Sequence, residues 1–330
     1  MIKVINGGLQ ALVEDWPGRL GYNGQGMSAS GALDNLALQL GNLLLGNRLG
    51  EAAIEIAAGL FRCEFAEDGI IAVTGADMHP TLNGSPIPLW ETIFVKRGDI
   101  LDFSNYDREQ NAFRSYLCVA GGIDVEPYLG SKSTCVFGNY GGYDGRCLKP
   151  NDVVKTGKSE YGWKGRRRIR KAGVPVYENP VRLRAIVGMN ASPDFATERG
   201  MDYLFSHEFS VSLNANRSAI RLEELPDWFF ARESGGVGGG HPSNIVDHAY
   251  NIRGGLNITG NTPSLLIADG PTLGGFICSI NVINADLWKI GQVTPGTGRI
   301  VFEQALQEEA TARRKETRNF ISEGVVESVA

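Results

Sequence analysis

Little in this sequence suits a membrane span, a long helix or a familiar cofactor fingerprint. No run approaches 18 uninterrupted apolar residues, so no transmembrane helix is expected. A G-x-x-x-x-G-K-[ST] loop is missing, and so is a G-x-G-x-x-G opening a helix after a strand, which removes two common phosphate cradles. With no H-E-x-x-H and no paired cysteines, no metal site is expected, and there is no G-x-S-x-G elbow. Histidine is scarce, with four residues at 79, 207, 241 and 248. The 32 Lys+Arg against 37 Asp+Glu give a formal net charge of −5, which excludes a surface built wholly for nucleic acid. Five cysteines (63, 118, 135, 147, 278) form neither a C-x-x-C pair nor a dense framework and read as packing thiols. The first residues show no charged segment ahead of an apolar one, so no secretory signal is expected. An odd cysteine count then fits a reducing, cytoplasmic compartment.

What is abundant is glycine: 43 of 330 residues, about twice ordinary usage and without a G-X-Y period. Each glycine inside a helix costs about 1 kcal/mol, so the composition points to strands joined by many turns. The length suits two domains or one large β-rich unit. Apolar runs at 70–74, 91–95, 114–120 and 264–268 read as strands. In 181–187, Val181, Leu183 and Val187 share one parity and Arg182 and Arg184 the other, the pattern of a half-buried strand. Asn83-Gly84, Gly98-Asp99 and Pro150-Asn151-Asp152 supply turns. Leucines at 33, 36, 40, 43 and 44 predict a helix over 32–45, with Ser30 as N-cap and Gly46 as its stop. A short helix is expected over 193–199 and a charged one over 303–321, beyond a final strand at 298–302. Six basic residues fall within 164–171, flanked by Gly173, Pro175 and Pro180. In an acidic chain this run reads as a solvated linker rather than an anion patch. The expected division is 1–160, a linker over 161–180, a β-rich half over 181–302 and a helical tail over 303–330.

Four loops combine glycine with polar side chains. The segment 234–244 holds five glycines within 235–240, followed by His241, Ser243 and Asn244. Its backbone can approach a ligand closely, or it can be a plain surface loop, and spacing does not choose between them. Asp269 follows the apolar run 264–268 and precedes Gly270, Gly274 and Gly275, which presents an acid into a cleft or simply caps a turn. Residues 23–34 carry Gln25, Ser30 and Asp34, and residues 138–146 carry Tyr140 and Gly142. Four such loops suggest a binding scaffold.

These loops also carry a resemblance. Asp15-Trp-Pro-Gly-Arg-Leu-Gly21, Ser30-Gly-Ala-Leu-Asp34, Gly121-Gly-Ile-Asp124, Tyr128-Leu-Gly-Ser-Lys-Ser-Thr134 and the glycines around Arg146 resemble the KipA-like, or allophanate hydrolase subunit 2, family. Gly239-Gly-His-Pro-Ser-Asn244, Asp269-Gly-Pro-Thr-Leu-Gly-Gly-Phe276 and Asp286-Leu-Trp-Lys-Ile-Gly-Gln292 look like the carboxyltransferase domain of biotin-dependent urea carboxylase and urea amidolyase. The 5-oxoprolinase C subunits share the first-half motifs and match the second-half ones less well. The resemblance runs from about residue 6 to 302.

The resemblance implies a mainly β, cyclophilin-like β-barrel architecture in two halves, with few short helices and a C-terminal helix. It implies transfer of a carboxyl group from carboxybiotin to a nitrogen of urea or a related amide or guanidine compound. Asp269, His241 and Asn244 are then the expected catalytic residues. Gln25, Ser30, Asp34, Lys132, Tyr140, Gly142, Ser243, Gly274, Gly275 and Lys289 are expected to bind substrate or biotin. No Met-Lys-Met attachment motif is present, so biotin is expected on a partner chain. ATP and bicarbonate are expected to be used by a partner subunit. The implied partners are a KipI-like chain and biotin carboxylase and biotin carrier components. Two alternatives stay open: a 5-oxoprolinase C subunit, opening a lactam with ATP, and a non-catalytic KipA-like antagonist of a KipI-like kinase inhibitor.

Overall fold

The computed structural model describes residues 1–104, 112–159, 162, 165–237, 239–245 and 252–329. His248, Lys164 and Gly238, each singled out in the sequence, lie outside the described residues. The chain divides into two units. The first comprises Met1–Leu20, Ser30–Tyr177 and Arg318–Ala330, and the second Gly21–Ala29 and Glu178–Thr317.

In the first unit, two antiparallel sheets share one core. One runs in the order Val153–Val154, Ile2–Gly7, Phe61–Phe65, Ile100–Asp102, Thr81–Leu82, Ser85–Pro86. The other runs Gln10–Glu14, Ala53–Ala57, Arg114–Val119, Gly69–Gly75, Thr92–Val95. Ile2, Val4, Phe61, Cys63 and Leu101 of the first sheet meet Val13, Ile54, Ile56, Ile71, Val73 and Leu117 of the second. The alternate residues of the second sheet are buried as well, because helix α1 (Asn35–Leu44) covers that face. Thr74 Oγ1 donates to the Ala37 carbonyl of α1 at 2.8 Å. Asn83-Gly84 makes the expected hairpin turn, both residues at positive φ (53° and 79°), as a two-residue β-turn demands.

Helix α1 starts later than its leucine spacing predicts. Asp34 is the N-cap, its Oδ1 accepting the Ala37 N–H at 2.9 Å, and Ser30 lies a turn upstream. Buried carboxylates dictate this: Glu14 accepts the Gly31 N–H and Glu55 the Leu33 N–H. They tie the Gly31 and Leu33 N–H groups to side chains and keep 30–33 out of the helix, so the cap falls at Asp34.

The second unit contains a seven-stranded sheet, ordered Glu208–Ser210, Arg299–Gln304, Val181–Val187, Cys278–Val282, Gly255–Thr259, Thr262–Leu266, Ala219–Arg221. Val181 and Leu183 point inward and Arg182 and Arg184 outward, as the alternation predicts, but Val187 at the strand's end is exposed and Ala185 is buried in its stead. Helix α2 (Glu198–Ser206) is capped by Thr197 and starts near the end of the expected 193–199 segment. Helix α3 (Leu287–Ile290) is a single turn. Helix α4 (Gln307–Phe320) buries no residue, and the expected strand before it extends to Gln304.

The mainly β expectation holds, and the barrel does not. Each sheet ends in strands with a single neighbour: Val153–Val154 and Ser85–Pro86, Gln10–Glu14 and Thr92–Val95, Glu208–Ser210 and Ala219–Arg221. Closure needs the first and last strands to hydrogen-bond to one another. Among the described residues none of these pairs does so, and Pro86 lacks the N–H to offer. The expected cyclophilin-like β-barrel is therefore not formed: no sheet is closed among the described residues.

The basic run is not loose chain. Arg167–Ile169 pairs with Val326–Ser328 as a two-stranded sheet. Arg166, Arg167 and Arg168 meet Glu91, Glu323 and Glu327, so three of the run's cations have acidic partners. All five cysteines are free thiols. Burial pushes the Cys278 thiol up to about 11 and the Cys118 thiol up to about 12. Among the described residues no helix is long and apolar enough to cross a membrane.

Candidate active site

Three segments of the second unit converge. The glycine loop closes on itself, with Gly235 N–H donating to the Gly240 carbonyl (3.1 Å) and Gly239 N–H to that of Gly236 (3.0 Å). A Cβ at Gly235 would stand 2.7 Å from the Asn244 carbonyl oxygen, and one at Gly239 would stand 2.3 Å from that of Gly235. These glycines let the loop's own backbone pack against itself. Asn244 helps close the loop, its Nδ2 donating to the Gly239 carbonyl. Beyond it, Ile245 N–H donates to the Gly275 carbonyl (2.9 Å) and Ile277 N–H to that of Ser243 (2.8 Å). The His-Pro-Ser-Asn segment is thus stitched to the end of the Asp269–Phe276 loop. From the other side, Ser28 Oγ donates to the Gly270 carbonyl (2.9 Å), bringing residues 21–29 to the same loop.

Ser243 is fully buried and orients His241. The Ser243 N–H donates to His241 Nδ1 at 3.1 Å, and Ser243 Oγ lies 3.0 Å from the same nitrogen. Nδ1 is therefore an acceptor, so the neutral ring carries its proton on Nε2. The imidazole is exposed and stands edge-on to Phe230, with ring centroids 5.2 Å apart. Nε2–H is thereby a neutral donor.

Asp269 is 5% exposed. Arg217 Nε donates to its Oδ2 at 3.0 Å, and the Asp269 N–H donates to the Arg217 carbonyl at 2.8 Å. Its other oxygen, Oδ1, is buried and accepts no hydrogen bond among the described residues. A buried carboxylate oxygen without a donor is costly, which makes it the acceptor in this loop that most needs an N–H. No hydrogen bond joins Asp269 to His241 or Asn244 among the described residues.

The remaining candidates fall in varied places. Gln25 is exposed in a short 3₁₀ turn, and Gly274 and Gly275 are partly exposed at the end of the Asp269 loop. Lys289 on α3 bonds to Asp286 (3.0 Å) and to the Arg182 carbonyl (3.1 Å). In the first unit, Ser30 is fully buried at φ 54° and its Oγ has no hydrogen-bond partner among the described residues, while Asp34 caps α1 and accepts the Tyr177 hydroxyl at 2.8 Å. Lys132 pairs with Glu51 at 2.8 Å in the wall of a cleft of about 470 Å³ that also includes Asp15, Trp16 and Arg48. Tyr140 stacks on Tyr128 (5.3 Å), and Gly142 packs against Thr134.

Residues 25–304 match the family described as carboxyltransferase domain, subdomain A and B. The chain belongs to this carboxyltransferase domain family. It is 38% identical over 305 residues to urea amidolyase of Saccharomyces cerevisiae, covering 89% of this chain and 16% of that one. The crystal structure of Kluyveromyces lactis urea carboxylase superposes with a TM-score of 0.89 at 34% identity, covering all of this chain and 30% of that chain. The C subunit of 5-oxoprolinase from Escherichia coli is 32% identical over 324 residues, covering 97% of this chain and 96% of that one. The carboxyltransferase domain thus spans about a sixth of the yeast urea amidolyase and nearly the whole of the bacterial protein.

Three arginines of this carboxyltransferase domain escape sequence reading. Arg217 holds Asp269 across 52 positions. Arg232 donates to the Pro242 carbonyl (2.8 Å) and to that of Asn244. Arg19 is fully buried, donates to the Tyr128 and Ser133 carbonyls and lies 4.8 Å over the Tyr140 ring. Only Arg19 sits in one of the family-like motifs, and nothing in its spacing signals burial.

Proposed function

We propose that this chain transfers a carboxyl group, delivered on biotin from another chain, to a nitrogen of urea or a related amide or guanidine compound. The observation that carries this reading is Asp269: a buried carboxylate, fixed by Arg217 through one oxygen, whose other oxygen accepts no hydrogen bond among the described residues and so suits an incoming N–H. Urea and the ureido ring of biotin both offer N–H donors beside a carbonyl. Asp269 Oδ1 suits the first and His241 Nε2–H the second, so the residues present fit the group. Biotin, when bound, supplies a ring nitrogen that gives up the carboxyl group and takes back the proton lost by the acceptor nitrogen. Asp269 holds or receives that acceptor proton, His241 orients a carbonyl, and Ser243 and Asn244 keep the loop in place. Positioning and fixed polar groups of this kind supply much of the rate in such a transfer.

ATP and bicarbonate act elsewhere in the proposed assembly, on a biotin carboxylase component, and a KipI-like chain completes it. The 5-oxoprolinase reading keeps one observation in its favour, the near end-to-end match to the bacterial C subunit. Turnover of the reconstituted assembly separates the two. Biotin- and bicarbonate-dependent ATP hydrolysis with urea or guanidine supports the proposal, and biotin-independent ATP hydrolysis with a lactam contradicts it.

A further inference from the structure

Beside the His-Pro-Ser-Asn loop lies a cleft of about 330 Å³, walled by Asn190, Phe195, Arg232, Gly235, Gly236, Val237 and Ile245. This volume suits a small molecule. Arg232 is its sole cation among the described lining residues. The guanidinium stacks 4.6 Å over the Phe195 ring, which fixes its plane. Nε and one Nη2 hydrogen are spent on the Pro242 and Asn244 carbonyls, leaving Nη1 and the other Nη2 hydrogen without an acceptor among the described residues. No carboxylate pairs with it among those residues, in contrast to Arg184 and Arg217, which face Asp286 and Asp269. Burial lowers its pKa below the ordinary guanidinium value, the mark of a cation short of compensating charge.

The geometry points to Arg232 as the seat of a carboxylate: its two free N–H edges bind, side by side, the oxygens of an N-carboxyl group occupying this cleft. This rests on the carboxyl-transfer reading and deepens it, assigning a residue to the group being moved. A rigid planar fork with parallel donors is the side chain best matched to a carboxylate. The two carbonyl bonds hold the fork in place, so the ligand meets a pre-set donor pair. They also tie the cleft to the flanks of Ser243, the residue that orients His241. The same carboxylate chemistry can come from an open-chain product or from a ring nitrogen, and two stable probes separate these. Malonamate has the open-chain shape with CH2 in place of the carboxylated nitrogen, and 2-oxopyrrolidine-3-carboxylate has the ring shape. Malonamide is the neutral control.

The test is calorimetric titration of the full chain with each probe, together with the side-chain ¹⁵Nη resonances of Arg232. The unmodified chain is expected to bind at least one carboxylate about tenfold more tightly than malonamide, as a charge-assisted pair implies. Arg232→Gln is expected to erase that preference and Arg232→Lys to retain part of it. The Arg232 Nη signals of the unmodified chain are expected to shift on saturation, a readout independent of whether the Gln variant folds. The tighter of the two carboxylates identifies the source. No preference for either carboxylate, an unmoved Arg232 signal, or a folded Arg232→Gln chain that binds like the original overturns the assignment. Those outcomes leave the carboxyl-transfer reading standing, because that reading is tested at Asp269 by labelled transfer.

Discussion

Arg217 and Asp269 form an ion pair, Nε to Oδ2 at 3.0 Å, in which neither side chain is more than 4% exposed. The pair is reinforced by the Asp269 N–H donating back to the Arg217 carbonyl, so position and charge are matched by the same two residues. One oxygen of the carboxylate is thereby committed to structure, and the other, Oδ1, accepts no hydrogen bond among the described residues.

Replacing Asp269 by Ala removes the carboxylate that faces the buried Arg217 guanidinium and is expected to cost about 3 kcal/mol of stability. Asp269→Asn keeps the shape and a hydrogen-bond acceptor and is expected to lose less. Thermal unfolding of both variants checks this, with the Ala variant melting at the lower temperature.

The glycines of the candidate loops separate by what surrounds them. Gly142 has φ 56°, and a Cβ there would stand 1.8 Å from Thr134 Oγ1, so Gly142→Ala is expected to destabilise by about 2 kcal/mol or more. At Gly275 a Cβ meets nothing within 4 Å, and Gly275→Ala is expected to change stability by less than about 0.5 kcal/mol. Parallel thermal melts test the contrast, and equal effects would contradict it.

Asp286 contributes to the acid response of the second unit. Burial pushes its carboxyl pKa up, but the Arg184 side chain and N–H, with Lys289, outweigh burial and hold it below the ordinary value. A depressed folded pKa contributes stability that is present above the unfolded value near 4 and is lost as pH falls through the folded value. Asp286→Asn is expected to cost about 2 kcal/mol at pH 7 and to flatten the loss of stability below about pH 4. Melts across pH 7 to 2.5 check both signs, and a variant as acid-sensitive as the original would contradict the account.

Much of the fold is legible in local sequence signals. The alternation of Val181, Leu183, Arg182 and Arg184 and the Asn83-Gly84 turn are of this kind, and the structure returns them unchanged. Barrel closure is not legible, since it depends on which edge strands pair, and strands as short as Thr81–Leu82 and Ser85–Pro86 carry no such information. The cap of α1 falls at Asp34 and not at Ser30 because Glu14 and Glu55, distant in sequence, fix the intervening turn. At the candidate site, the glycine and His-Pro-Ser-Asn loops stand out by composition. Arg217 and Arg232 do not, because an arginine's partner across a fold leaves no trace in its neighbours.

In the proposed transfer, Asp269 Oδ1 receives the acceptor N–H. The most direct test of this step is transfer of ¹⁴C from labelled bicarbonate to urea by the reconstituted assembly, comparing the unmodified chain with Asp269→Asn. The Asn chain, folded and assembled, is expected to transfer label at least about a hundredfold more slowly, as loss of a group handling the reacting proton implies. Undiminished transfer by Asp269→Asn would contradict it.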